Sequence, residues 1–273
     1  MDKIELKIKN TIEKNKLCNK KEKVLVALSG GKDSTLTAYL LKKLGYNIEG
    51  FHIDLEIGTY SKRCRESVEQ LCKDLDIKLH VYDMKKEMGA GMCYLRTSIQ
   101  SKQAKGNLKN CAICGVLKKW IFNKCARNLK ADKIATGHNL DDEAQTFLMN
   151  FFKGNPKLSA NSGAITQNIQ DEKFIPRIKP LFYVAENDIR AYTKKLNLPV
   201  IYDKCPCALD SYRIEVRKFL NTLSTKEKEN IVKNMEITMK KLQKSKENII
   251  QYCQYCGEPS RNNICKKCKL MKF

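Results

Sequence analysis

The feature that most constrains this chain is an apolar run at 24–28 that breaks into a glycine loop at 29–34 and restarts as a helical pattern. A buried parallel strand gives a continuous apolar run, and a helix entered directly from it leaves its first backbone N–H groups unpaired. Gly30 and Gly31 have no Cβ, so the backbone can approach a phosphate closely, and Lys32 adds a positive charge. The loop therefore predicts an anion site. The alternative interpretation is a glycine turn with a solvated lysine.

The hexapeptide Ser-Gly-Gly-Lys-Asp-Ser at 29–34 differs from the loop of the P-loop NTPases, G-x-x-x-x-G-K-[ST], which is longer and holds the β- and γ-phosphates. It resembles instead the PP-loop of enzymes that split ATP into AMP and pyrophosphate. This resemblance implies that ATP is a substrate.

The alternation of predicted strands and helices indicates the fold class. Apolar runs at 47–54, 78–82 and 133–136 predict further strands, and helical patterns lie between them. This order predicts an α/β fold with a doubly wound parallel sheet, whose ligand lies beyond the carboxyl ends of the strands. Four parts are expected along the chain: an N-terminal helix over 1–21, a PP-loop domain over 22–224, a linking helix over 225–251 and a zinc ribbon over 252–273.

The charge balance favours a polyanionic partner. Lysine and arginine number 52 against 30 acidic residues, a formal net charge of +22. Neutralising phosphates with lysine and arginine releases counterions, so this excess favours nucleic acid, although a generally lysine-rich proteome would raise the charge as well. The chain starts without the apolar core of a signal peptide and has no run long enough to span a bilayer, which predicts a cytoplasmic protein with no membrane partner. In that reducing compartment the 13 cysteines favour metal ligands or catalytic thiols over disulfides.

The C-terminal tail carries the strongest metal pattern. Cys253-x-x-Cys256 and Cys265-x-x-Cys268 have the spacing of a structural zinc ribbon with four thiolate ligands. So short a tail has little else to fold around. The alternative is an iron–sulfur or rubredoxin-type site.

A second cysteine pair, Cys111-x-x-Cys114, is less specific because it stands alone in its part of the chain. Three interpretations compete: half of a zinc site, a redox dithiol at a helix start, and two ligands of an iron–sulfur cluster. Cys205 or Cys207 could supply a third thiolate. A cluster with three cysteine ligands leaves one iron open to an exogenous sulfur.

Taken together, these motifs resemble those of the tRNA 2-thiouridine synthetases, and the resemblance covers nearly the whole chain. The motifs occur in the family's order: the PP-loop at 29–34, the cysteine pair followed by basic residues, Thr-Gly-His-Asn-Leu-Asp-Asp-Glu-Ala-Gln at 136–145, Pro-Arg-Ile-Lys-Pro at 176–180, Cys205-Pro206 and the terminal ribbon. The 2-thiocytidine branch shares the PP-loop and the cysteine pair but generally lacks the ribbon.

The resemblance implies a reaction and a set of site residues. The family adenylates the C2 oxygen of a tRNA base with ATP and then replaces AMP with sulfur delivered through a [4Fe-4S] cluster held by three cysteines. The phosphates would contact Ser29, Gly30, Gly31, Lys32, Asp33 and Ser34, and the adenosine would contact Ala27, Ile53 and Gly137. The cluster ligands would be Cys111, Cys114 and Cys205, of which Cys111 is also counted among the catalytic residues with Lys118 and Asp142.

Elementary chemistry agrees with these roles. Attack of a carbonyl oxygen on an α-phosphate needs cations where negative charge develops, and Lys32, Lys118 and Mg²⁺ would supply them. Asp142 would bind the metal or take a proton; as an alternative, it is only a carboxylate favoured at a helix N-terminus. Lys118 has the parallel alternative of phosphate binding or solvation.

Two departures from the family pattern stand out. Relatives commonly begin with another zinc ribbon, whereas only Cys18 precedes the PP-loop here. Relatives also often have Tyr-Ser after the Cys-Pro pair, where this chain has Cys207-Ala208. Cys207 is therefore a fourth thiol near the cluster, an alternative ligand or a persulfide carrier.

The predicted function is ATP-dependent tRNA uridine 2-thiolation. The expected partners are tRNA and a sulfur donor, either sulfide or a thiocarboxylated ubiquitin-like carrier, with a possible homodimer implied by the relatives. One alternative is a tRNA 2-thiocytidine synthetase or another PP-loop tRNA ligase such as a lysidine synthetase. A second is a non-catalytic zinc-ribbon RNA-binding protein.

Overall fold

The structure is a computed structural model that describes residues 1–102, 108–166, 171–208, 212–243 and 251–271. The strands are β1 (Val24–Leu28), β2 (Ile48–Asp54), β3 (Leu79–Asp83), β4 (Lys133–Ala135), β5 (Arg177–Ile178), β6 (Gln251–Tyr252) and β7 (Pro259–Ser260). The helices of the first half are α1 (Lys3–Lys14), α2 (Lys32–Lys43), α3 (Gly58–Asp74), α4 (Met84–Met88), α5 (Met92–Ser101) and α6 (Asn110–Asn128). Those of the second half are α7 (Leu140–Phe152), α8 (Glu186–Lys195), α9 (Arg213–Leu220), α10 (Thr225–Gln243) and α11 (Lys266–Met271). Short 3-10 turns lie at Pro156–Asn161 and Pro206–Ala208.

The central sheet confirms the predicted doubly wound topology. Five parallel strands lie in the order β3-β2-β1-β4-β5. The chain runs from β1 outward to β3, and β4 then joins the other side of β1. This order places the switch point between β1 and β4, where open sheets of this type bind their ligands.

Alternation along β1 and β2 gives the sheet two apolar faces. Val24, Val26 and Leu28 face a core shared with α1, α2, α3, α7, α8 and α10. Leu25 faces a second core, built with Phe51, Ile53 and the buried sides of α5 and α6. Residues two apart in a strand share a face, so β1 and β2 together separate the two helical layers.

Helix α6 begins earlier than the sequence pattern predicted. The basic helical pattern starts at Val116, whereas the helix starts at Asn110. The Cys111–Cys114 pair therefore lies in the first turn of the helix rather than in a loop before it, because Ile113 and Leu117 extend the buried stripe back through the pair.

Helix α10, predicted as a link to the tail, also contributes to the main core. Val232, Met235 and Met239 are buried there, and the helix packs against α7. Residues 244–250, in the second part of the predicted link, lie outside the described residues. The fourfold division of the chain stays a prediction.

Within the described ranges, every helix is too short or too polar to cross a lipid bilayer.

Candidate active site and metal centres

Hydrogen bonds within the glycine loop at 29–34 fix the shape of that loop. The backbone N–H of Ser29 donates to Oγ of Ser34 at 3.1 Å, and that hydroxyl donates to the carbonyl of Gly31 at 3.0 Å. Gly30 has φ +79°, and a Cβ on it would lie 2.9 Å from the backbone of Cys64. Glycine is required at position 30 both by backbone conformation and by space.

Gly137, predicted beside the adenosine, lies against the other side of the loop. A Cβ on it would approach the carbonyl carbon of Asp33 and the backbone nitrogen of Ser34 at 2.7 Å. The end of β4 is therefore packed directly on the first turn of α2. This contact joins two predicted site segments at the switch point of the sheet.

Lys32, predicted to contact phosphate, is held between two acids in this structure. Its Nζ lies 2.8 Å from Oδ2 of Asp33 and 2.9 Å from Oε1 of Glu186. Burial acts against the charged amine, but the two carboxylates outweigh it and raise the pKa of Lys32. A polyphosphate would have to replace these partners.

The acids around Lys32 form one network with Arg217, whose guanidinium donates to Glu186 at 2.7 Å and to Asp142 at 2.8 Å. Burial raises the pKa of Asp33, and the nearby charge of Asp142 adds to that effect, while Lys32 opposes it. Neighbouring carboxylates such as Asp33 and Asp142 are a candidate site for a divalent cation.

Sequence reasoning missed Glu186 and Arg217. The only signal in the sequence is that Glu186 lies in the first turn of a predicted helix, a position where a carboxylate needs no functional explanation. Asp142 itself forms a reciprocal capping box with Asn139, so it does lie at the helix N-terminus, as its alternative interpretation required. Asn139 also donates to Asp33 at 2.9 Å, so the cap and the phosphate loop are connected.

Ala27 and Ile53, predicted to line the adenosine pocket, lie on the same face of the sheet. Both pack with the second core, on the side of α6, with Ile53 buried and Ala27 half-buried. These contacts place a small apolar surface near the carboxyl ends of β1 and β2, in keeping with an adenine site.

The candidate cluster thiols come together from two segments. Cys111 is exposed, whereas Cys114 and Cys205 are half-buried. Burial raises the pKa of both half-buried thiols; the charges of the other cysteines raise them further, while the charge of Lys118 lowers them. Lys118 and these three sulfurs thus share one electrostatic environment.

The donor set at Cys111, Cys114 and Cys205 suits a group larger than one ion. In the part of the chain that the structure describes, the only cysteine, histidine or acidic set with all ligand atoms within 4.8 Å is in the tail, so these three thiols are spaced more widely. A single zinc ion holds its sulfurs at about 2.3 Å and so needs them close together, whereas iron–sulfur clusters take cysteine ligands on separate irons. The thiols therefore fit a cluster better than a mononuclear metal.

The phosphate loop adjoins the thiol group through the segment that precedes Cys205. The backbone N–H of Ile201 donates to the carbonyl of Gly30 at 2.8 Å. Cys64, whose backbone lies against Gly30, is in turn affected by the charges of Cys205 and Lys118. The predicted phosphate and cluster sites thus lie at one edge of the molecule.

The four tail cysteines form a compact set. The sulfurs of Cys253, Cys256, Cys265 and Cys268 all lie within 4.8 Å of one another, beside the β6–β7 hairpin. Burial acts to raise the pKa of Cys253, but backbone N–H groups outweigh it and lower that pKa to about 6. Four converging thiols, one of them stabilised as a thiolate, fit a tetrahedral Zn²⁺.

The tail docks on the second half of α6. Glu258, which is 5% exposed, accepts from Nδ2 of Asn123 at 3.1 Å and pairs with Arg127. Trp120 packs against the cysteine set, and the ammonium groups of Lys124 and Lys267 each lie 5.0 Å from the centre of its ring. Helix α6 therefore carries two of the candidate cluster thiols, Cys111 and Cys114, near its start and the tail along its second half.

Positive charge accumulates near the middle of α6, between the cysteine pair and the residues that contact the tail. Lys119 is exposed, but neighbouring groups partly desolvate its ammonium and lower its pKa, and the charges of Arg177, Lys266, Lys179 and Arg213 lower it further. Burial and several of the same cations lower the pKa of His138 to about 4, so this ring is neutral at pH 7. A surface with this charge is suited to a phosphate backbone.

Comparisons with known proteins identify the family of this chain. The family model for the PP-loop domain matches residues 1–224. The tRNA-5-methyluridine(54) 2-sulfurtransferase of Pyrococcus horikoshii is 40% identical over 270 residues, covering 97% of this chain and 83% of that protein. The tRNA 2-thiolation protein NcsA of Haloferax volcanii is 30% identical over 265 residues, 91% of this chain and 81% of that one. The structure of the U34-tRNA thiolase NcsA from Methanococcus maripaludis with its [4Fe-4S] cluster matches with a TM-score of 0.80 at 28% identity, covering 98% of this chain and 86% of that chain.

Proposed function

Because this chain belongs to the PP-loop family that contains the tRNA 2-sulfurtransferases and 2-thiolation proteins, we propose that it is an ATP-dependent tRNA uridine 2-sulfurtransferase. The observation that carries the proposal is the hydrogen bond from Ile201 to Gly30, because it ties the phosphate loop to the segment that bears Cys205. ATP bound and cleaved at the loop 29–34 and a sulfur atom held near Cys205 would then react with the same tRNA base.

In the proposed first step, the C2 oxygen of the uridine attacks the α-phosphorus of ATP, and pyrophosphate leaves. Loop backbone N–H groups and Lys32 would bind the phosphates once Lys32 exchanges its carboxylate partners for them. Asp33 and Asp142 would hold Mg²⁺, and Lys118 would stabilise the charge that develops on the α-phosphate.

In the proposed second step, a hydrosulfide sulfur attacks C2, the C2–O bond breaks and AMP leaves. A [4Fe-4S] cluster held by Cys111, Cys114 and Cys205 would supply an open iron position for the incoming sulfur. Lys118 lies beside the thiols that form one side of this site and would also balance the negative charge of the leaving AMP.

Further parts of the proposal concern the partners. The tRNA would lie over the basic surface at Lys119 and Arg177, with Zn²⁺ in the tail ribbon. The protein would act in the cytoplasm as a homodimer. The relatives' names specify positions 54 and 34 of tRNA, and the proposal covers both. Sulfide and a thiocarboxylated ubiquitin-like carrier are the two candidate donors.

The test separates the two steps. With cluster-loaded protein, tRNA and ATP, we expect tRNA-dependent release of pyrophosphate and formation of 2-thiouridine. Cys111→Ala should keep at least half of the pyrophosphate release and lose more than 100-fold in thiolation, whereas Lys32→Gln should lose both. Full thiolation by Cys111→Ala would refute the cluster role, and absence of pyrophosphate release by the unsubstituted chain would favour a non-catalytic RNA-binding protein.

A further inference from the structure

Two cysteines outside the three-thiol group, Cys93 and Cys207, form a pair. Their sulfurs lie 4.0 Å apart although 114 positions separate them in the chain. Cys93 is the second residue of α5, and Cys207 lies in the 3-10 turn that follows Cys205. Both thiols are half-buried, so small solutes can reach them.

Side chains on two helices hold this pair in place. The charge of Arg96, one turn beyond Cys93 on α5, interacts with the thiols of both Cys207 and Cys93. Nδ2 of Asn110, at the start of α6, donates to the backbone carbonyl of Cys207 at 3.3 Å. Asn110 also accepts from Gln100 of α5 at 3.1 Å, so the turn, α5 and α6 are fixed to one another.

The two cysteines of the turn are engaged differently. The charges of Cys207, Lys118 and Cys111 all act on the Cys205 thiol. The Cys207 thiol is instead in contact with Cys93. This difference separates a candidate cluster ligand from its near neighbour in sequence.

We propose that Cys93 and Cys207 form a reversible dithiol–disulfide site beside the cluster site, that hydroperoxides oxidise it, and that Cys207 is therefore not a cluster ligand. A disulfide requires about 2.05 Å between the sulfurs, so they must approach by about 2 Å from their present separation. Side-chain rotation of two half-buried residues supplies such a shift with little backbone movement.

The chemistry balances with hydrogen peroxide as the oxidant. One thiol attacks the peroxide, the O–O bond breaks, and a sulfenic acid and one water form. The second thiol attacks the sulfenic sulfur, an S–S bond forms, and a second water leaves. A dithiol reductant reverses the reaction by exchange and becomes a disulfide itself.

Oxidation would tie the turn that bears Cys205 to α5. The three-thiol group would then lose freedom to adjust around a metal group, because Cys205 lies two residues from the cross-link. Part of this inference, the exclusion of Cys207 as a ligand, rests on the proposed function, whereas disulfide formation does not.

The first experiment treats the whole 273-residue chain, reduced and loaded with zinc but not with iron, with hydrogen peroxide. Alkylation and peptide mass spectrometry follow. The expected product is a peptide that joins Cys93 to Cys207, removed by Cys93→Ser and by Cys207→Ser. Cys125→Ser is the matched control, a half-buried thiol on α6, and should leave the cross-link unchanged. A predominant link between Cys111 and Cys114, or from Cys205 to any thiol, would overturn the proposal whether or not the protein thiolates tRNA.

The second experiment measures iron per chain after anaerobic reconstitution. Cys207→Ser should retain at least 80% of the iron bound by the unsubstituted chain, whereas Cys205→Ser should lose more than half. The reverse pattern would make Cys207 the ligand and overturn its assignment to the dithiol.

Discussion

At the residue scale, the site depends on a few positions where a single atom decides the geometry. Gly137 is such a position because a Cβ there would meet backbone atoms of Asp33 and Ser34, which cannot rotate away. The loop pattern at 29–34 predicted an anion site because the glycine, lysine and serine groups that would bind the anion all lie within one short segment. The Arg217–Glu186 contact could not be predicted in the same way, since its partners lie 31 residues apart and meet only after helices pack.

Gly137→Ala should displace the first turn of α2. We expect more than a 10-fold loss of tRNA-dependent pyrophosphate release and a loss of about 1–3 kcal/mol in the free energy of unfolding, as for overpacking elsewhere. Denaturant unfolding and pyrophosphate assays check this. Gly115→Ala, where a Cβ meets nothing within 4 Å, is the stability control and should not destabilise the chain. Equal behaviour of the two variants would contradict the steric argument.

Asp141 is a second decisive residue, buried with its partner Lys228. Its carboxylate accepts from Lys228 at 2.8 Å and from the backbone N–H of Glu186 at 2.7 Å. Burial acts to raise the pKa of Asp141, but these partners outweigh it and hold the pKa below its ordinary value of 3.8. Its stabilising effect is therefore complete above pH 3.8 and is lost as the pH falls through the folded-state pKa.

Asp141→Asn should leave a buried ammonium unpaired and cost about 3–5 kcal/mol in unfolding free energy at pH 7. Urea unfolding at several pH values measures this, and the difference from the unsubstituted chain should shrink below pH 3.8. Glu215→Gln removes an exposed pair with Lys218 and should change stability by less than about 1 kcal/mol. A pH-independent deficit for Asp141→Asn would show that the ionised carboxylate is not the cause.

At the scale of elements, α6 connects the two candidate metal centres. Its 19 residues span about 28 Å at 1.5 Å per residue, with Cys111 near one end and Arg127 near the other. The cysteine pair and the tail ribbon were each evident from spacing. Their attachment to one helix was not, because Trp120, Asn123 and Arg127 have no special spacing in the sequence.

Removing metal from the tail should be visible at Trp120, the only tryptophan in the chain. Its ring packs on the four-cysteine set, and its indole N–H is buried without a partner among the described residues. A zinc chelator should therefore shift its fluorescence emission to longer wavelength as the ribbon opens and water enters. The cluster-ligand variant Cys111→Ala should show the same shift, and an unchanged emission after measured loss of zinc would contradict this packing.

At the scale of the whole molecule, the parallel sheet brings the phosphate loop and the candidate cluster thiols to one edge. Alternating strands and helices predicted this edge because the topology of such sheets is narrowly restricted. The pairing of Cys93 with Cys207 could not be predicted from these rules, because it depends on how a turn and two helices pack against each other. The chemistry of short sequence motifs was thus more predictable than the contacts between residues that lie far apart in the chain.

The basic surface should make tRNA binding strongly salt-dependent. Each phosphate contact contributes about −0.9 to the slope of log affinity against log salt on duplex regions. Lys119→Gln should reduce the magnitude of that slope by about 1, whereas Lys9→Gln, on the exposed face of α1, should not change it. Filter binding at several salt concentrations measures both, and equal slopes would remove Lys119 from the interface.

The most direct test of the central claim is quantitative mass spectrometry of tRNA nucleosides after an anaerobic reaction of cluster-loaded protein with tRNA, ATP and sulfide. The account predicts 2-thiouridine or its 5-methyl form only when ATP is present, and a loss of more than 100-fold with Cys205→Ser. Thiolation without ATP, or at an undiminished rate by Cys205→Ser, would contradict it.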